Sequence, residues 1–163
     1  MNYKKYIKEV ANFPNHGVCF KDISPLLANN DVYRAAVGQM AKLIHSPPDY
    51  WVGIDARGFL FASSLALQVG GGVVLCRKAG KLPPPTVSHI YNTEYSKDEL
   101  SMHPGMGRVI IVDDVLATGG TMKAANLLCT KAGYEVIDNI ALIDLEYIPK
   151  ELDITVKSLV KYV

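Results

Sequence analysis

Apolar runs alternate with amphipathic stretches along this chain, and the alternation predicts strands separated by helices. Residues 31–45, 59–69 and 121–132 carry apolar side chains at helical spacing. Short runs rich in β-branched residues are typical of buried strands, and they occur at residues 50–54, 72–76, 108–112, 136–145 and 154–160. We therefore predict an α/β fold, a mostly parallel twisted sheet flanked by helices, in a single domain spanning residues 1–163.

Composition narrows the classes of function. The 163 residues are 49% hydrophobic and 20% charged, with a net charge of +1, which does not favour a nucleic-acid or membrane-surface partner. No apolar run approaches the roughly 20 residues that span a bilayer. The three cysteines are far apart, fit a reducing compartment and share no metal-ligand spacing with the four histidines. We expect a cytoplasmic protein without a signal peptide.

Parallel sheets bind ligands at the carboxyl ends of their strands, so the segment after residues 108–112 is the first candidate site. It continues as a small-residue turn and the start of an amphipathic helix. Two consecutive glycines let the backbone approach a ligand, and amides at a helix N-terminus suit a phosphate. The predicted phosphate loop consists of Ala117, Thr118, Gly119, Gly120 and Thr121.

Two adjacent carboxylates, Asp113 and Asp114, precede this loop. They would repel a phosphate but can accept hydrogen bonds from vicinal hydroxyls, so a sugar phosphate fits better than free phosphate. The spacing is not that of a Walker A loop, because Lys123 follows Gly120 by three positions and not directly. The pattern predicts a site for a phosphorylated ribose.

This segment resembles the phosphoribosyl-pyrophosphate (PRPP) signature of type I phosphoribosyltransferases. The resemblance implies that Asp113 and Asp114 bind the ribose 2′ and 3′ hydroxyls while the loop binds the 5′-phosphate. Enzymes for 6-oxopurines usually have an acid where this chain has Ala117. Uracil enzymes usually have proline where it has Asp114, so both of these specificities are disfavoured.

Three further segments, residues 13–27, 53–61 and 77–100, resemble the adenine phosphoribosyltransferase family in the same order. The resemblance implies transfer of 5-phosphoribose from PRPP to adenine, giving AMP and pyrophosphate in purine salvage. It also implies an N-terminal hood over the base, residues 1–30, and a flexible catalytic loop, residues 79–104. Residues 82–96 hold three successive prolines and no helical or strand period, which predicts a long mobile lid.

The resemblance assigns the remaining site residues. Arg57 would be catalytic, meeting the pyrophosphate leaving group after a cis Asp55–Ala56 peptide, and Glu94 in the lid would be the acid or base near N7 of the purine. Further cations for PRPP would be Arg77, Lys78 and Lys81. The adenine site would comprise Val18, Phe20, Lys21 and Leu145.

The same family pattern implies Mg²⁺ held mainly through PRPP, with no protein cage for the metal, and a homodimer. Two alternatives remain open from the sequence. One is a phosphoribosyltransferase for another purine base. The other is a PRPP-sensing regulator with this fold, which is less favoured because the chain has neither an added domain nor excess positive charge.

Overall fold

The computed structural model describes residues 1–93 and 96–163. The strands are β1 Lys8–Ala11, β2 Cys19–Asp22, β3 Tyr50–Ile54, β4 Gly72–Lys78, β5 Val87–Asn92, β6 Lys97–Met102, β7 Gly107–Leu116, β8 Tyr134–Leu145 and β9 Lys157–Tyr162. The helices are α1 Ser24–Ala28, α2 Asn30–Ala41, α3 Gly58–Val69 and α4 Gly120–Ala132, after a 3-10 turn at Tyr3–Tyr6.

Seven strands form the main sheet in the order β5-β6-β4-β3-β7-β8-β9. The four pairs that join β4, β3, β7, β8 and β9 are parallel, whereas β6 pairs antiparallel with both β4 and β5. β1 and β2 make a separate antiparallel ribbon. The predicted α/β fold with a mostly parallel sheet is confirmed.

Two cores lie on opposite faces of the sheet, because successive residues of a buried strand point to opposite sides. On one face Trp51 and Val112 pack with Phe61 and Leu65 of α3. On the other face Val52 and Ile111 pack with buried side chains of α4, among them Leu128 and Cys129. Both faces of the central strands are therefore covered, which explains their continuous apolar runs.

The largest differences between the strands and the sequence prediction lie in three places, while β4 extends two residues further and β8 begins two residues earlier than predicted. β7 continues through both aspartates to Leu116, so these carboxylates lie within the strand and not after it. β9 begins and ends later than predicted, at Lys157–Tyr162. Within the predicted lid, the expectation of no strand is wrong, since β5 and β6 form an antiparallel hairpin.

Contacts with residues distant in sequence, and not a local sequence pattern, explain the formation of this hairpin. Val87 and Tyr91 of β5 pack against the core that α4 covers. Lys131 of α4 also donates from Nζ to the carbonyl oxygen of Ser88 at 2.7 Å. The strand is stabilised by contacts with a helix distant in sequence and by pairing with β6.

None of the helices among residues 1–93 and 96–163 has the length and apolar character needed to cross a membrane.

Candidate active site

The phosphate loop lies between the end of β7 and the first turn of α4. Gly119 has φ +92°, a left-handed conformation that glycine adopts without strain. A recess of about 90 Å³ opens there. It is lined by Asp113, Val115, Leu116, Ala117, Thr118, Gly119, Gly120, Thr121 and Met122. All five predicted loop residues are thus brought together beside Asp113.

The carboxylate pair lies in a larger cleft of about 370 Å³ that adjoins this recess. Asp113 and Asp114 both line the cleft, and they share it with Arg57, Lys78, Ala117 and Thr121 of the predicted site. The amide of Asp114 donates to Oδ1 of Asp113 at 2.9 Å. The aspartate pair and the predicted phosphate loop therefore face one volume.

The protein environment disfavours the charge on both aspartates. Burial raises the pKa of Asp113 well above the usual range, and the charge of Asp114 adds to the effect. Burial also raises the pKa of Asp114, although the Arg57 guanidinium opposes it. Such perturbed carboxylates in a cleft are typical of a functional site.

The turn between β3 and α3 presents Arg57 to the same cleft. The Arg57 Nε lies 2.7 Å from Oδ2 of Asp114, and the side chain of Asp114 is only 7% exposed. The predicted cis peptide between Asp55 and Ala56 is confirmed. Gly58 begins α3 so close to β7 that a Cβ there would lie 2.7 Å from the carbonyl oxygen of Val112.

Asp55 organises the predicted basic residues at the end of β4. Its Oδ2 lies 3.5 Å from Nε of Arg77 and accepts from the amide of Lys78 at 3.4 Å. Arg77 also donates from a terminal guanidinium nitrogen to the carbonyl oxygen of Lys81 at 3.1 Å. Lys78 lines the cleft, whereas Lys81 is exposed and does not.

The hood approaches the cleft through Phe20. The Cζ of Arg57 lies 4.8 Å from the centre of the Phe20 ring, so the aromatic face covers the arginine that reaches Asp114. Phe13 packs edge-on against Phe20 at 5.2 Å between ring centres. Val18, just before β2, is 39% exposed, and its carbonyl oxygen accepts from the amide of Phe13 at 3.3 Å.

Lys21 is oriented differently from the other predicted base-site residues. Its Nζ lies 2.7 Å from a Glu9 carboxylate oxygen and 4.2 Å from the centre of the Tyr162 ring. Burial by itself lowers the pKa of Lys21, but the hydrogen bond and charge of Glu9 outweigh it and the pKa is raised. The side chain thus anchors the ribbon to β9.

Leu145 is buried in the core on the α3 face and does not line the cleft. Its carbonyl oxygen accepts from the ammonium of Lys150, as does that of Ala117. Lys150 went unnoticed in the sequence because nothing in its neighbourhood resembles a site signature. Asp98 and Tyr91 of the hairpin also line the cleft, and only the pairing of β5 with β6 reveals them.

Glu94, the predicted acid or base, lies outside the described residues.

The comparisons with known proteins agree with this geometry. The sequence pattern of the phosphoribosyl transferase domain matches residues 23–162, which places the chain in the phosphoribosyltransferase class. A curated adenine phosphoribosyltransferase from Rhodospirillum rubrum is 43% identical, over 99% of both chains. The chain belongs to the adenine phosphoribosyltransferase family.

Solved structures show the same fold. That of adenine phosphoribosyltransferase from Thermoanaerobacter pseudethanolicus superposes with a TM-score of 0.89 at 36% identity, over 98% of this chain and 97% of the other. The enzyme from Saccharomyces cerevisiae, complexed with an imino-altritol bisphosphate and adenine, gives a TM-score of 0.86 at 30% identity, over 96% and 94%.

Proposed function

We propose that this enzyme transfers 5-phosphoribose from PRPP to N9 of adenine, releasing AMP and pyrophosphate for purine salvage. The observation that carries the proposal is the meeting of a carboxylate pair, a phosphate-sized recess and Arg57 in one cleft. In the reaction the bond from C1′ to pyrophosphate oxygen breaks with its electron pair leaving on the oxygen, a bond from C1′ to N9 forms, and the proton that adenine loses passes to the Glu94 carboxylate.

Each part of the cleft has a role in this reaction. The loop from Ala117 to Thr121 binds the 5′-phosphate through backbone amides and hydroxyls. Asp113 and Asp114 accept hydrogen bonds from the ribose hydroxyls, which offsets the cost of their burial. Arg57 carries fixed positive charge toward the departing pyrophosphate, and it must exchange part of its contact with Asp114 for that anion.

The other cations extend this positive edge. Arg77 and Lys78, both oriented by Asp55, would contact the pyrophosphate, with Lys81 at the exposed rim. Electrostatic stabilisation of a leaving group works best when the charges are already in place. The contacts of Asp55 supply that arrangement.

Mg²⁺ fits this donor set as an ion bound mainly through PRPP. Asp55, Asp98, Asp113 and Asp114 supply hard carboxylate oxygens in the cleft. Across the residues that the structure describes, no three acidic, histidine or cysteine side chains are grouped closely enough to cage a metal. The ion would neutralise charge on the pyrophosphate while the protein holds the sugar.

Base binding and proton transfer belong to the hood and the lid. Phe20 offers a planar apolar surface for the purine, and Val18, Lys21 and Leu145 are the other residues proposed for the adenine site. Glu94 would exchange a proton with the base near N7, and closure of the lid at residues 79–104 would exclude water. The β5–β6 hairpin is the part of this lid that contacts α4.

A homodimer suits the α2–α3 face. A groove of about 660 Å³ lies there, lined in part by Tyr33, Val37 and Leu67. Leu67 is 91% exposed, an unusual position for a large apolar side chain on α3. Because α3 begins next to Arg57, a second copy on this face would lie near the pyrophosphate site. A cytoplasmic setting is consistent with three free cysteines.

Incubation with PRPP, Mg²⁺ and adenine, with AMP followed chromatographically, tests the function directly. We expect AMP and pyrophosphate in equal amounts, and little product from hypoxanthine, xanthine or uracil. Glu94→Gln should lower turnover by roughly 10²-fold or more, since general acid–base catalysis supplies that much, while PRPP affinity stays close to wild type. Product from another base in preference to adenine would contradict the specificity.

A further inference from the structure

Lys150 lies behind the site and connects two parts of it. Its Nζ donates to the carbonyl oxygen of Ala117 at 2.8 Å and to that of Leu145 at 2.6 Å. The same atom lies 2.8 Å from Oδ1 of Asp144. Two of the three N–H donors of the ammonium group therefore have carbonyl acceptors, and the contact with Asp144 is an ion pair.

The two carbonyls belong to residues proposed for the two substrates' sites. Ala117 opens the loop proposed to bind the 5′-phosphate, and Leu145, the last residue of β8, is one of those proposed for the base site. The Lys150 side chain is only 25% exposed and that of Asp144 13%, so water competes weakly for these bonds. Hydrogen bonds from a charged donor are also stronger than neutral ones.

Holding a carbonyl orients the next amide. In a trans peptide the C=O of one residue and the N–H of the next point in opposite directions. Lys150 holds the Ala117 carbonyl, so the Thr118 amide is directed away from Lys150. The amide of Glu151 holds the Thr118 carbonyl at 2.8 Å, which does the same for the amide of Gly119.

Packing reinforces these bonds. The side chain of Leu152 lies against Gly119, leaving no room there for a Cβ. Residues 150–152 thus contact the back of the loop with an ammonium, an amide and an apolar side chain in succession. Lys150, Glu151 and Leu152 contact Ala117, Thr118 and Gly119 in that order.

We propose that Lys150 is a positioning residue that presets the amides of the phosphate loop and couples the loop to the base pocket. The inference rests on the proposed function for the identity of the two substrates. Since one ammonium holds both carbonyls, ordering of either site lowers the cost of ordering the other. Such coupling is reciprocal between the two ligands.

The test compares Lys150→Met with Lys161→Met. Lys161 pairs with Glu146 at 2.7 Å near the same end of β8, but its side chain is 58% exposed and makes none of the loop contacts. The probes are ribose 5-phosphate, Mg²⁺–pyrophosphate and adenine, with dissociation constants from calorimetry and KM values from AMP formation.

We expect Lys150→Met to weaken the binding of ribose 5-phosphate about tenfold and to raise the KM for adenine several-fold. These magnitudes are typical of coupling between sites. The dissociation constant of Mg²⁺–pyrophosphate, which is proposed to contact Arg57 and not the loop, should change less than about twofold. Lys161→Met should match wild type for all three probes. Lys150→Arg, which keeps the charge, should recover part of the loss.

If Lys150→Met weakens the binding of ribose 5-phosphate and of pyrophosphate equally, the substitution loosens the whole site and the proposal is overturned. Binding of ribose 5-phosphate at the wild-type affinity would overturn it as well. If Lys150→Met does not fold, Lys150→Gln, which loses the charge, takes its place with the same two outcomes. Absence of AMP with the wild-type enzyme would refute the proposed function alone, because the ribose 5-phosphate comparison does not depend on turnover.

Discussion

At the scale of single residues, Asp113 occupies an environment that opposes its own charge. Burial and the neighbouring Asp114 raise its pKa, so the empty protein holds this carboxylate at a cost. Donors from a ribose would offset that cost only when the substrate is bound. Binding energy and stability therefore conflict at this position.

Asp113→Asn tests the conflict. At a pH between the pKa of Asp113 in the unfolded chain and its raised pKa in the folded protein, the folded state binds more protons than the unfolded state. The stability of the folded state therefore falls as pH rises through this range. The neutral amide removes this slope. We expect a higher thermal midpoint than wild type at pH 7 without ligand, with the difference shrinking toward pH 4, in melts monitored by circular dichroism.

The same variant should bind PRPP at least about tenfold more weakly, since hydrogen bonds to a charged acceptor are lost. Asp153→Asn is the matched control, because Asp153 is 75% exposed and makes only a 3.7 Å pair with Lys123. A variant at Asp113 that is less stable at pH 7 and binds PRPP normally would show that the carboxylate is structural.

At the scale of elements, α3 and β7 approach each other where the site needs both. Gly58 begins α3 against the backbone of Val112, and the same approach places Arg57 beside Asp114. The absence of a side chain at Gly58 sets this distance. An added methyl group must move either the turn or the strand.

Gly58→Ala should therefore destabilise the protein by about 1–3 kcal/mol, as overpacking does, and lower kcat/KM by on the order of 10²-fold through misplacement of the site. Gly38→Ala is its counterpart within α2, where a Cβ would only meet Gln68 at an ordinary 3.5 Å. That change should stabilise by about 0.5–1 kcal/mol and leave activity unchanged. Denaturant melts and AMP assays measure both, and a fully active Gly58→Ala would contradict the close-approach argument.

At the scale of the whole molecule, the proposed homodimer would use the apolar surface of α3. Leu67 is exposed on α3 and Leu127 is 49% exposed on α4, which covers the other face of the sheet. The two leucines are similar in chemistry and differ in the face that they occupy. This difference makes a matched pair of variants.

Leu67→Glu should shift the protein from twice the 17.8 kDa of one chain to a monomer, because a charge cannot be buried in the interface. AMP formation should fall on the order of tenfold if a neighbour helps to hold the pyrophosphate site. Light scattering during gel filtration reports the mass. Leu127→Glu should keep the dimer, and a dimer that survives Leu67→Glu would place the interface elsewhere.

Much of this protein was predictable from the sequence because the relevant signals are local. Runs rich in β-branched residues predicted the central strands, and the helical spacing of apolar residues predicted the helices between them. β3 has the predicted bounds, Tyr50–Ile54. The segment from Asp113 to Thr121 could be recognised as a candidate site by itself, because two carboxylates, two glycines and the start of a helix are adjacent in the chain. Parallel strands then required these residues to share one edge of the sheet.

Tertiary structure decided what depends on contacts between distant residues. β5 is a strand because α4 and β6 stabilise it, although the prolines at residues 83–85 just before it and its irregular pattern indicated a loop. The side chain of Lys21 contacts Glu9 and the ring of Tyr162, whereas the family resemblance had assigned this residue to the base site. Lys150 reaches Ala117 across 33 positions of the chain, and no local pattern encodes such a contact. Local chemistry determined which residues form the candidate site, and packing between distant segments determined how they are held.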